Sequence, residues 1–222
     1  MIRRWGALLA AVCALTGCAT AVTGTPTWPG ARLERALLTA QDFPPGVQYD
    51  RIAEETDGTG GPGARSGPPA MLSEPPGCSD GLTRVIAGSG ERGPGSAAEY
   101  VVAWDGVRIV MTVLTWPLDL DRLAATADRC ARFETFFDPA SDGIPMTTTR
   151  LPAPRAEALV YQQTMTLAGV DNSVYFSFEN VGTMAVFGIA FPTANPDIAV
   201  KGTLPQTFLD TAGRQAHRAA AQ

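Results

Sequence analysis

The sequence predicts an α+β fold: one antiparallel sheet of about five to six strands, with helices packed mainly on one face. Three observations carry that expectation. Asp105-Gly106 lies between two apolar runs, 100–104 and 107–115, as in a hairpin with a two-residue turn. Segments 144–151, 158–168, 173–180 and 183–191 alternate with the period of a strand. Between the two groups, Leu120, Leu123, Ala127, Cys130, Phe133 and Phe137 recur at three- and four-residue spacing. That stripe predicts an amphipathic helix reaching about Phe137.

Taken in chain order, residues 31–40 (ARLERALLTA) form a short helix with Leu33, Leu37 and Leu38 on one side. Asp42-Phe43-Pro44-Pro45-Gly46 stops it. A Gly/Pro-rich loop then runs from about 54 to 77, through Gly60-Gly61-Pro62-Gly63 and Pro75-Pro76-Gly77. Ser79 or Asp80 is placed to cap a short helix burying Leu82, Val85 and Ile86. In the hairpin, Asp-Gly favours a type I′ turn. That register sets Trp104 opposite Val107, Val102 opposite Ile109 and Tyr100 opposite Met111, all six on one face.

Pro117 ends the hairpin, and Asp119 or Asp121 caps the amphipathic helix. In 158–168, Leu159, Tyr161, Met165 and Leu167 share one face and Val160, Gln162, Thr164 and Thr166 the other. One covered and one more polar face is the expectation for such a sheet. Val174, Phe176 and Phe178 alternate with Tyr175, Ser177 and Glu179, and Asn180-Val181-Gly182-Thr183 is a tight turn. A last helix begins near Pro205 and buries Leu204, Phe208 and Ala212.

The first residues carry a different signal. Arg3 and Arg4 precede an apolar run, 5–15, too short for the roughly 20 residues of a membrane span but suited to a signal-peptide core. It ends in Leu15-Thr16-Gly17-Cys18, which resembles the bacterial lipobox. The resemblance implies a signal peptide at 1–17, lipid on Cys18, a flexible tether over 18–30 and a single ectodomain over 31–222. It places the chain at the outer face of the cell membrane, lipid-anchored. Thr20, Thr23, Thr25 and Thr27 in the tether are candidate O-glycosylation sites by resemblance to actinobacterial lipoproteins. Basic residues are nearly all arginine, with Lys201 the one lysine; with abundant Ala, Gly and Pro this suggests a GC-rich genome.

Loss of the leader takes Arg3 and Arg4 and moves the net charge from −5 to −7. So acidic a chain is not expected to bind nucleic acid through its overall field. Cys13 leaves with the leader and Cys18 takes lipid. Cys78 and Cys130 then remain in an oxidising compartment, where a disulfide is the default and free thiols or a metal pair are the alternatives. A bridge closing so long a loop contributes about 4 kcal/mol in the chain-entropy account.

Catalytic patterns do not emerge. No serine stands in a G-x-S-x-G elbow, and there is no H-E-x-x-H or phosphate-binding G-x-x-x-x-G-K-[ST]. His217 is the one histidine, placed in the last turns of the final helix. Asp119 and Asp121 are better explained as caps than as a carboxylate pair. No cofactor or metal is expected. Candidate ligand-binding residues are Arg108, Gln162, Tyr175 and Glu179, with Thr112 and Thr164, taken to share the less apolar face of the sheet. The bland alternative is a solvated sheet face.

The order of features resembles a family. Cys78 follows Pro75-Pro76-Gly77; a hairpin follows; a helix bears Arg129-Cys130-Ala131; paired strands and a closing helix complete it. This is similar to mycobacterial cell-envelope lipoproteins whose ectodomains resemble the extracellular sensor domain of the PknH-type receptor Ser/Thr kinase, over roughly residues 35–218. The resemblance implies a non-catalytic sensor-like module that binds an envelope small molecule, glycan or protein. The kinase sensor has two disulfides and a V-shaped cleft; this chain can make one bridge. Two alternatives stand beside it. A carrier of lipid or glycolipid requires a large apolar cavity between sheet and helices. An envelope hydrolase requires shifted carboxylates gathered in one cleft.

Overall fold

Asp105 and Gly106 both adopt positive φ, 55° and 75°, the signature of a type I′ turn. The turn joins β3 (Ala97–Trp104) to β4 (Val107–Leu114). It sets Trp104 opposite Val107, Val102 opposite Ile109 and Tyr100 opposite Met111, in the expected register. The Asp105 carboxylate also accepts a hydrogen bond from the Thr207 hydroxyl at 2.6 Å, which ties the turn to the C-terminal helix.

The computed structural model describes residues 31–52, 71–84, 93, 95–193 and 204–222. Cys18, the tether, Val85, Ile86 and most of the 54–77 loop lie outside the described residues. The hairpin belongs to one antiparallel sheet of nine strands. Six of them are the expected ones: β3, β4, β6 (Ile144–Leu151), β7 (Leu159–Leu167), β8 (Val170–Val181) and β9 (Met184–Pro192). The added strands are β1 (Gln48–Ile52), β2 (Leu72–Glu74) and β5 (Arg132–Phe136). Their order across the sheet is β1-β3-β4-β9-β8-β7-β6-β5-β2.

The expectation of five to six strands is therefore corrected to nine, and the molecule is mostly sheet. β5 also corrects the long helix. The helix α2 (Leu120–Arg129) ends at Cys130, and Arg-Phe-Glu-Thr-Phe continues as a strand with Phe133 and Thr135 buried. Phe133 and Phe137 continue the helical stripe numerically, but pairing with β6 takes the backbone hydrogen bonds.

The helices do not favour one face. The helix α3 (Gln206–Ala220) and α1 (Ala31–Ala36) cover the side bearing Tyr100, Val102, Ile109 and Met111. On the opposite side, α2 packs with Leu82 and Leu118 against Tyr161, Phe176, Phe178 and Phe187. Successive residues of a strand point to opposite faces, so β8 and β9 contribute to both cores. Gly188 permits the close approach of α3: a Cβ there would lie 2.8 Å from Met111 Sδ and 3.0 Å from Phe208 Cε2. No helix among the described residues is long and apolar enough to cross a membrane.

Candidate binding cleft

Pro117 follows β4, and the next residue is clamped to the sheet. Asn180 on β8 accepts from the Leu118 N–H at 2.7 Å and donates back to the Leu118 carbonyl at 2.9 Å. Asp119 then caps α2, its carboxylate accepting from the Arg122 N–H at 2.9 Å, which satisfies one of the helix's unpaired donors. So fixed, α2 forms one wall of a cleft, with Arg122, Leu123, Thr126 and Arg129 facing in. Gly77, Gly81 and Arg84 form the other wall, and Trp116, Pro117 and Leu118 close one end. The cleft is partly open to solvent and has a volume of about 390 Å³.

Three contacts hold the walls together. Cys78 and Cys130 form the disulfide, with Cα atoms 5.5 Å apart. The Arg129 guanidinium donates to the Pro76 carbonyl at 3.0 Å and lies 3.6 Å from Cys78 Sγ. Leu82 is buried among Leu118, Leu123 and Ala127. Gly81 lets the walls meet: a Cβ there would lie 2.8 Å from Thr126 Cγ2 and 2.9 Å from the Gly77 carbonyl oxygen.

The cleft is a local concentration of positive charge in an acidic chain. Arg84 chelates Asp80 with its nearest contact at 2.7 Å. Arg122 has no ion pair among the described residues. Three guanidinium groups thus stand against the carboxylates of Asp80 and Asp119. Among the described residues, no group of three or more His, Cys, Asp or Glu is placed to hold a metal ion.

The four sequence-derived binding candidates do not meet in one place. Arg108 is exposed and lies on the α2 side of the sheet, with Phe191 across from it. Gln162, Tyr175 and Glu179 lie on the α3 side. Gln162 donates to the Ser173 hydroxyl at 2.9 Å. Tyr175 and Glu179 are buried, at 7% and 3% exposure, and Glu179 accepts from Arg155 Nε. The expectation that these residues share an open face is corrected, because helices cover both sides of β8. Thr112 is buried and donates to Glu99 at 2.8 Å. His217 is exposed.

Arg84 carries no signal for the cleft in the sequence because 32 residues separate it from Trp116 and 38 from Arg122. The Cys78–Cys130 pairing was the available clue, since it obliges residues 77–84 to lie beside the end of α2.

No family model and no curated protein matches the chain. Among solved structures, an uncharacterised protein of Mycobacterium smegmatis is similar over 86% of this chain and 95% of its own, at 15% identity and a TM-score of 0.49.

Proposed function

We propose that this protein is a lipid-anchored, extracytoplasmic binding module of the mycobacterial envelope type, sensor-like and non-catalytic, with its ligand seat in the cleft between residues 77–84 and α2. The observation that carries the binding role is that cleft. Its volume of about 390 Å³ falls in the range of small-molecule pockets, roughly 300–1,000 Å³. Its walls are joined by a disulfide, the kind of bond favoured outside the cytoplasm. The anchoring role rests on the basic leader and Leu15-Thr16-Gly17-Cys18. The resemblance to the kinase sensor domain supports a sensing role for the same module.

The carrier reading has less support. The space between α3 and the sheet is filled by packed side chains, with Phe208, Tyr100, Ile109 and Met111 fully buried there. Fractionation of cells expressing the full chain tests the anchoring. Wild type is expected in the membrane fraction and Cys18→Ala outside it. Equal partitioning of the two would remove the lipid anchor from the account.

A further inference from the structure

The cleft's charge and shape carry a more specific assignment, which rests on the binding-module reading. We propose that the cleft binds an oxyanion group of the phosphate type, with the apolar remainder of the ligand lying along Trp116, Leu118 and Leu123.

The seat is built at the Pro76-Gly77 bend. Arg129 reaches it from α2, 3.0 Å from the Pro76 carbonyl. Arg84 reaches it from the other wall; its Nη2 lies 3.8 Å from where a Gly77 Cβ would stand. Each side chain is oriented by an existing bond, Arg84 by Asp80 and Arg129 by Pro76, so little freedom is lost when an anion arrives. Arg84 gives its Nε and Nη2 donors to Asp80 and keeps those of Nη1, and Arg129 keeps those of Nε and Nη2, because a guanidinium carries five. Planar guanidinium forks match phosphate oxygens in paired hydrogen bonds.

Arg122 stands seven residues before Arg129 on the same helix, about 10 Å away along the axis. It lines the cavity together with Trp116 and Asp119, two turns of α2 away from Arg129. The Asp119 carboxylate already occupies the first turn of α2, so the seat is not the helix N-terminus. Its negative charge directs the anion toward Arg84 and Arg129. Leu123 and Thr126 line the cavity from positions on α2 between the two arginines. The arrangement suits an elongated ligand with an anion at one end and an apolar body. The net charge of −5 keeps the attraction local and leaves the whole surface unattractive to polyanions.

The test is calorimetric titration of the full chain, disulfide intact, in detergent. Inorganic pyrophosphate is one probe; phosphatidylglycerol dispersed in the same detergent micelles is a second, with phosphatidylcholine micelles as its neutral control. Saturable binding that weakens with salt is expected from at least one of the two anionic probes. Arg84→Gln and Arg129→Gln should each weaken it about tenfold or more. Arg132→Glu, on the exposed side of β5, should leave it unchanged. All three side chains are exposed, and a thermal melt of each variant checks the fold. Should Arg129→Gln melt early, Arg129→Lys takes its place.

Pyrophosphate binding points to a free phosphorylated ligand, and phosphatidylglycerol binding alone to a lipid headgroup; either supports the oxyanion seat. Binding that ignores both arginine substitutions, or no binding of either anion, overturns it. Maltoheptaose binding without anion binding would overturn the oxyanion assignment and leave the binding-module reading standing. Failure of the Cys18 anchoring test would remove the lipid anchor and leave the oxyanion seat standing.

Discussion

Tyr100 shows how tightly one residue can be held without full satisfaction. It is 0% exposed and stacks on Tyr49 with ring centroids 5.3 Å apart. Its hydroxyl has no hydrogen-bond partner among the described residues. Burial pushes its ionisation far above the ordinary phenol range, so it stays neutral at any working pH. A buried unpaired hydroxyl is a cost without a return. Tyr100→Phe is therefore expected to leave stability unchanged or to raise it by up to about 1 kcal/mol, read from urea unfolding midpoints. A clear loss would mean that the hydroxyl has a partner.

Asp42 is the opposite case. Partial burial raises its pKa, but hydrogen bonds from the Thr39 N–H and hydroxyl, with the charges of Arg218 and Arg214, outweigh it and hold the carboxyl below its ordinary value of 3.8. A depressed carboxyl stabilises the fold fully above the unfolded-state pKa and loses that contribution as pH falls through the native value. Melts from pH 7 downward should show wild type more stable than Asp42→Asn. The gap should close only in the acid window below about pH 4. A gap that closes near neutrality would contradict this.

At the scale of elements, close packing is set by small residues at particular places. Gly188 on β9 lies under Phe208 and Met111, with no room for a Cβ. Gly188→Ala is expected to cost about 1–3 kcal/mol by overpacking, measured by denaturant unfolding; an unchanged midpoint would show that α3 can yield. Element scale is also where the sequence was most and least legible. Long alternating runs announced six strands because period-2 patterning marks a pleated surface. β2 has three residues in a Gly/Pro-rich stretch, too few to show a period. β1 opens with exposed Gln48 and exposed Asp50 at the sheet's edge, where burial does not enforce a pattern. β5 was hidden because Phe133 and Phe137 extend the helical stripe, and what ends α2 is the pairing of β5 with β6.

At the scale of the whole molecule, alternation tells which residues of a strand share a face, but not which helix covers that face. That is why Tyr175 and Glu179 looked like surface residues and are buried, and why Arg108 falls on the other side. The cleft was legible in one respect: Cys78 and Cys130, expected to pair by default, do form a disulfide. Its arginines were not, since 45 residues separate Arg84 from Arg129 and nothing local links them. The sheet with helices on both faces presents the cleft at the end where β4, β8 and α2 meet.

The central claim is that this module works outside the cytoplasm on a lipid anchor. Intact mass spectrometry of the protein extracted from its own membrane tests it most directly. The predicted mass is that of a chain beginning at Cys18, carrying a diacylglyceryl group there and lacking two hydrogens for the Cys78–Cys130 bridge. A mature N-terminus elsewhere, or an unmodified Cys18, would contradict it.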